Sequence, residues 1–144
     1  MPTVDRRIIE FINEHHVLTL ATSLENEPWC ANCFYVYLEK ENEFVFTSDM
    51  LTKHIQDSLH QPLVAGSVVL ETNSIGKIRG LQFQGEMVKL GNGHLNAAKK
   101  AYLKRFPVAM LMKTTLWAVK PVLLKFTDNR LGFGKKLLWK RRDQ

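Results

Sequence analysis

The sequence predicts a mainly β, α+β fold, an antiparallel barrel of six to seven strands with flanking helices. Three observations predict it. Most apolar segments carry the alternation and the aromatic and β-branched enrichment of strands. Short polar turns join successive strands in meander order, and helical spacing occurs only at the start, in the middle and late in the chain. A meander of that many strands closes or half-closes, because closure removes the exposed edges of the sheet.

In chain order, Val4, Ile8, Phe11 and Ile12 follow helical spacing. Thr3 is the expected N-cap, and His15 and His16 end the helix, where imidazolium suits its dipole. Val17 to Thr22 alternates as a first strand and turns at Glu25 to Pro28 into a strand containing Trp29 to Leu38. Lys40 to Asn42 is a polar hairpin turn leading to Phe44 to Thr47. A helix starts near Leu51 and stops at Pro62. Leu63 to Glu71 is apolar enough to predict a central strand buried on both faces. Ile75 to Leu90 reads as a long strand with Gly80 and Gly85 at bends or bulges. Asn92 and Gly93 open a helix over Leu95 to Phe106, ended by Pro107, with Leu95, Ala98, Tyr102 and Phe106 on one side. Leu116 to Phe126 is a strand whose Pro121 implies an edge or a bulge, and Lys136 to Trp139 completes the set.

Composition bounds the class. At 144 residues, 45% hydrophobic and 24% charged, the chain is one globular domain, 1–144. No apolar run approaches the roughly 20 residues of a membrane span, and the charged N-terminal segment lacks the apolar core of a signal peptide, so a cytoplasmic location is expected. The two cysteines, Cys30 and Cys33, form a CxxC on a predicted strand, where residues three apart face opposite ways. Structural thiols are therefore expected rather than a redox or zinc pair. Five cations against Asp143 in residues 135–144 supply +4 of the net +6, a tail able to attract nucleic acid or simply to solubilise the chain.

The chemistry gathers after the central hairpin. Thr47, Ser48 and Thr52, with Lys53 and His54, bring hydroxyls and positive charge to a strand end that hands over to a helix N-terminus, where an anion such as a phosphate is favoured. The same residues also fit a plain helix start, capped by Ser48 or Asp49 with Lys53 in water. Gln82 and Gln84 share one strand face; their amides suit either a heterocycle edge or solvent.

The order of elements, with Phe44-Val-Phe-Thr-Ser, Thr52-Lys-His-Ile, Gln61-Pro-Leu-Val-Ala and Arg79-Gly-Leu-Gln-Phe-Gln-Gly-Glu, resembles the pyridoxamine-phosphate-oxidase-like FMN-binding split barrel. Trp29-Cys-Ala-Asn-Cys-Phe-Tyr, Arg105-Phe-Pro-Val-Ala and Lys125-Phe-Thr-Asp-Asn-Arg-Leu-Gly-Phe-Gly-Lys-Lys are similar to the YhbP group of small bacterial proteins, a likeness running over residues 3–142. The resemblance implies a homodimer with FMN in grooves between subunits. It implies cofactor contacts from Asn32, Phe46, Thr47, Lys53, Gln82 and a late lysine, Lys135 or Lys136. Thr52 stands where the oxidases often carry Arg, which removes a charge and a bidentate donor from the phosphate site. Arg130-Leu131-Gly132 lacks the histidine of the oxidases' Arg-x-His, so oxidation of pyridoxine phosphate is not expected.

The expectation is thus an FMN-binding flavoprotein acting as an oxidoreductase on a small molecule, in which Thr47, Ser48, Thr52 and Lys53 hold phosphate and Asn32 and Gln82 bond the cofactor. No side chain is assigned as catalytic, because the flavin carries the hydride chemistry. Two other classes are weighed against it. One is a cofactor-free or haem-related binding module with His54 or His60 as axial ligand. The other is nucleic-acid association through residues 135–144.

Overall fold

The computed structural model describes residues 2–112 and 115–142. Its elements, in order, are α1 (Arg6–Glu14), β1 (Val17–Leu24), β2 (Glu27–Leu38), β3 (Glu43–Ser48), α2 (Lys53–His60), β4 (Leu63–Val69), β5 (Arg79–Lys89), α3 (Asn92–Arg105), β6 (Thr115–Asp128) and β7 (Lys136–Lys140). All strand pairs are antiparallel in the order β3-β2-β1-β4-β5-β6-β7, and a further β3–β6 pairing closes six of them into a barrel. β7 lies outside the ring, paired only with the second half of β6.

Alternation along each strand builds two cores. Phe44, Phe46, Tyr35, Phe83 and Trp117 fill the barrel, with Phe44 and Phe83 stacked at 4.7 Å and 16°. Val45, Ala118 and Leu116 point outward and are covered by Ala98 and Tyr102 of α3. Gly66 is required by this packing: a Cβ there would lie 2.2 Å from Phe83 Cζ and 2.6 Å from the Thr19 carbonyl.

β6 turns its corner at Pro121. Register shifts between Gln84 and Gly85, whose partners are Leu123 and Pro121, so Val122 is the extra residue of a bulge. Proline has no N–H for the ladder, and the bulge absorbs that loss. Arg141 holds the opened backbone: its N–H donates to Val122 O at 3.0 Å, and its guanidinium donates to the carbonyls of Lys120 and Pro121 at 3.1–3.3 Å. At least one cation of the basic tail is therefore structural; residues 143 and 144 lie outside the described residues.

Several expectations are corrected. The N-cap of α1 is Asp5, whose carboxylate accepts from Arg7 N at 2.9 Å, not Thr3. An acidic side chain both caps and ion-pairs with Arg7, which a hydroxyl cannot do. β4 is buried on one face only: Val64 and Val68 point in, while Leu63 and Val69 are exposed. The run looks doubly buried because its outward residues are small or apolar without a helix over them. The strand expected from Ile75 begins at Arg79, after a single 3-10 turn at Ile75–Lys77. The CxxC geometry holds, with Cys33 buried and Cys30 exposed.

Candidate functional site

The predicted phosphate residues come together around the N-terminus of α2, but they are largely committed to one another. Thr52 is the N-cap position without a side-chain cap bond; its hydroxyl donates instead to Asp49 O at 2.8 Å. Asp49 in turn accepts from Leu51 N, so it forms the turn before the helix rather than capping it. Ser48 points into the barrel end, where Ser48 Oγ and His54 Nε2 lie 2.6 Å apart and both residues are buried. Burial holds the His54 imidazole below its ordinary pKa, with the nearby Asp57 charge opposing that shift. Cys33 lies beside Ser48 and its thiol is pushed up to about 11 by burial, partly offset by a hydrogen bond from Ser48.

Lys53 has a partner that the sequence reading did not assign. Its Nζ lies 3.2 Å from both carboxylate oxygens of Asp57, one helical turn on, and 5.7 Å from the centroid of the Trp29 ring. Asp57 is 3% exposed and also accepts from Thr22 Oγ1 at 3.2 Å. A phosphate approaching Lys53 therefore meets a pair of zero net charge. The i,i+4 spacing of Lys53 and Asp57 was visible in the sequence once the helix was placed.

Thr47 faces the other way from Ser48, as neighbours on a strand must. Its hydroxyl lies 3.2 Å from Tyr102 Oη, at the foot of a groove of about 550 Å3 between α3 and the β3–β6 seam. Phe46 is fully buried in the barrel core. Its place inside the barrel gives it a packing role.

Asn32 and Gln82 sit on a different face, and strand register aligns them. Asn32 is opposite Thr19, Thr19 opposite Ser67, Ser67 opposite Gln82 and Gln82 opposite Lys125, so a single polar row crosses β2, β1, β4, β5 and β6. Thr19 Oγ1 donates to Asn32 Oδ1 at 3.0 Å, which leaves the Asn32 amide N–H groups facing outward. The adjoining row, Cys30, Ala21, Ala65 and Gln84, is small or amide-bearing and ends at the apolar Leu123. Both rows except Asn32, with Gly66 and Phe83, line a shallow cavity of about 440 Å3 on a sheet face that no helix among the described residues covers. Three strand spacings, roughly 14 Å, separate Asn32 from Gln82, a span suited to an extended planar ligand lying across the strands. Thr19, Ser67 and Lys125 were missed by sequence reasoning because only the pairing register reveals them.

Lys136 stands apart from the α2 group, but it shares the sheet face of the polar row, two residues along from Leu138, the partner of Lys125. It pairs with Thr127 at one end of β6, whereas Ser48 pairs with Thr115 at the other. His60 is exposed at the C-terminal end of α2, at the edge of a cavity of about 420 Å3 beside the β1–β2 turn. Among the described residues no group of three His, Cys, Asp or Glu side chains is placed to hold a metal ion, and no helix is long and apolar enough to cross a membrane.

Comparison with protein-family profiles gives no match. Comparison with single proteins does. The chain is 40% identical over 134 residues to a UPF0306 protein of Photorhabdus laumondii, covering 93% of this chain and 94% of that one. It is 40% identical over 134 residues to the UPF0306 protein YhbP of Escherichia coli O157:H7, covering 93% and 91%. Among solved structures it superposes on a haem-binding protein from Mycobacterium smegmatis (TM-score 0.76, 18% identity), covering 91% of this chain and only 56% of that one. A conserved hypothetical protein from Mycobacterium tuberculosis (TM-score 0.76, 16% identity) is matched over 94% and 91%. A FAD-binding protein from Mesorhizobium loti (TM-score 0.68, 13% identity) is matched over 82% and 89%. At these identities the structural matches establish the fold alone, an antiparallel split barrel of six strands with one strand outside the ring. The sequence matches establish the family: the chain belongs to the UPF0306 family.

Proposed function

We propose that this protein binds a flavin, FMN, on the sheet face crossed by the Asn32–Thr19–Ser67–Gln82–Lys125 row, as a homodimer in which a second copy covers that face. The row is the observation that carries the reading. It sets amides and hydroxyls at strand spacing beside the small residues Ala21 and Ala65, which let a flat ring approach the backbone. A flavin, when bound, supplies hydride or electron transfer, and the protein supplies orientation and hydrogen bonds. Asn32 and Gln82 present donors and acceptors to the edges of a heterocycle, and the Lys125 amine adds positive charge at one end of the row.

The phosphate end is the weaker half of the fit. Lys53 is the cation the family pattern assigns there, and Asp57 already neutralises it; the hydroxyls of Ser48 and Thr52 are engaged inside the fold. Binding of FMN therefore competes with the Lys53–Asp57 pair, and affinity is expected to be modest. An oxidoreductase activity on a small-molecule substrate follows from this reading if the bound flavin is reducible. Uncovered apolar residues on or beside the same face, Phe34 and Leu63 at 59% and Leu138 at 62% exposure, support its burial against a second copy.

The haem reading is supported by the haem-binding structural neighbour, but His54 Nε2 is taken up by Ser48, leaving His60 as the exposed histidine of α2. Titration with FMN and with haem separates the two. Retention of flavin by wild type, weakened about tenfold by Gln82→Leu, supports the proposal. Binding of haem lost on His60→Ala, with no flavin retained, would replace it.

A further inference from the structure

The groove under α3 is a second site, on the opposite side of β3 from the buried Ser48–His54 pair; its foot neighbours Phe34, two residues along β2 from the Asn32 end of the flavin row, and none of its lining residues belongs to that row. Its volume of about 550 Å3 lies within the range of small-molecule pockets. Its wall is apolar, with Leu95, Leu103 and Leu116 inside and the flexible Met110 and Met112 at the mouth. Methionines at a mouth adapt to ligands of different outline. Besides Thr115 at the start of β6, two polar features break the apolar lining, and they are placed differently.

At the foot, Tyr102 Oη donates its single proton to the carbonyl of Phe34 at 3.3 Å. The 3.2 Å contact with Thr47 must then have the Thr47 hydroxyl as donor and Tyr102 as acceptor. What Thr47 leaves for an incoming molecule is therefore oxygen lone pairs, and the foot asks for an N–H or O–H donor. At the mouth, Lys99 is the one charged lining residue among those described, and none of the described lining residues is a carboxylate. Lys100 and Lys104 are exposed elsewhere around α3, a helix with basic and no acidic side chains, which adds to the positive charge on this side of the molecule.

We infer that this groove binds an apolar organic anion: an aromatic or aliphatic body against the leucines, an N–H or O–H on Thr47, and a carboxylate or sulfonate on Lys99. A cation would face Lys99 without a counter-charge, and a neutral hydrocarbon would bring no donor to the Thr47 lone pairs it desolvates, at a modest cost. A phosphate monoester with a polar body is disfavoured for the same reason, since the leucine wall offers it no partners.

The probe is 8-anilinonaphthalene-1-sulfonate, which carries an apolar ring system, one N–H and one sulfonate. The expected result is saturable binding of one dye per chain to the folded protein, seen by fluorescence and counted by calorimetry. Lys99→Glu should weaken it at least tenfold, and Thr47→Val several-fold. Ala109→Trp, which fills the groove, should abolish it. Lys99→Glu changes an exposed side chain and should leave circular dichroism and thermal unfolding as in wild type, so loss of dye in that variant cannot be assigned to misfolding. FMN retention by Lys99→Glu should also be unchanged, which keeps this site distinct from the flavin reading. Absence of saturable binding, or binding indifferent to all three substitutions, would overturn the assignment. Displacement of the dye by 1-naphthoate but not by naphthalene would support the requirement for an anion, and equal displacement by both would contradict it.

Discussion

Lys53 and Asp57 form an ion pair within one turn of α2, with Nζ 3.2 Å from each carboxylate oxygen and the carboxylate 3% exposed against Thr22. The pair decides how an anion is received at this end of the barrel. Asp57→Asn keeps the shape and the capacity to bond Thr22 while leaving Lys53 uncompensated, so FMN or inorganic phosphate should bind several-fold more tightly. Lys53→Ala should lose that binding and also leave a buried carboxylate unpaired, at a cost of about 1–3 kcal/mol. Isothermal titration and urea unfolding of both variants check the two halves.

His54 gives the protein an acid-sensitive joint. Its imidazole is neutral in the fold because burial disfavours the charged form, whereas the unfolded chain protonates near the ordinary value of 6.5. The unfolded state therefore binds more protons below that pH, and stability falls as pH drops from 6.5 through the lowered native value. His16 is shifted in the same direction by burial and by Arg105, so the diagnostic comparison is between variants. Between pH 7 and 5 the melting temperature of wild type should fall more steeply than that of His54→Gln. A separate loss is expected only in stronger acid, as Asp5, held at about 2 by Arg7, becomes protonated.

Packing at Gly66 is unforgiving. Alanine there would drive a Cβ against the Phe83 ring and the Thr19 carbonyl, so Gly66→Ala should destabilise the fold by about 3 kcal/mol, at the upper end of ordinary overpacking. Denaturant unfolding at constant slope measures it.

Arg141 should matter to the fold. Its guanidinium and N–H satisfy the carbonyls opened by the β6 bulge, and Arg141→Ala should cost about 1–2 kcal/mol. Lys140→Ala, at the exposed last residue of β7 just before it, should cost little. Thermal melts of the two variants distinguish a structural tail from one serving only as charge.

Cys30 reports on the proposed covered face. Cys33 is buried with its thiol raised to about 11, so it should resist alkylation in the native protein, while Cys30 is exposed beside Ala21. If a second copy and the flavin cover the face, iodoacetamide should label Cys30 quickly in dilute protein and slowly at high concentration with FMN present. A rate indifferent to both would leave the face uncovered. Mass spectrometry of the labelled peptides gives the rates.

How much of this was legible beforehand follows from the range of each interaction. The hairpin of Tyr35 to Phe46 and the helix ending before Pro107 were readable because periodicity and turn residues act over a few positions. The bulge at Pro121 was readable for the same reason. The half-exposed state of β4 was not, since Leu63 and Ala65 look like core residues until the sheet shows nothing above them. The polar row depends on the register of five strands drawn from the length of the chain, and no local pattern links Asn32 to Lys125. Conversely, Thr47 and Ser48 were grouped as one phosphate site by proximity in sequence, and strand alternation sends them to opposite sides of β3.

The most direct test of the central claim is the absorbance spectrum of the purified protein after loading with FMN and removing the excess by gel filtration. The account predicts flavin bands travelling with a dimeric protein peak, and their loss in Gln82→Leu. A colourless peak from well-folded wild-type protein, or a flavin signal unchanged by Gln82→Leu, would contradict it.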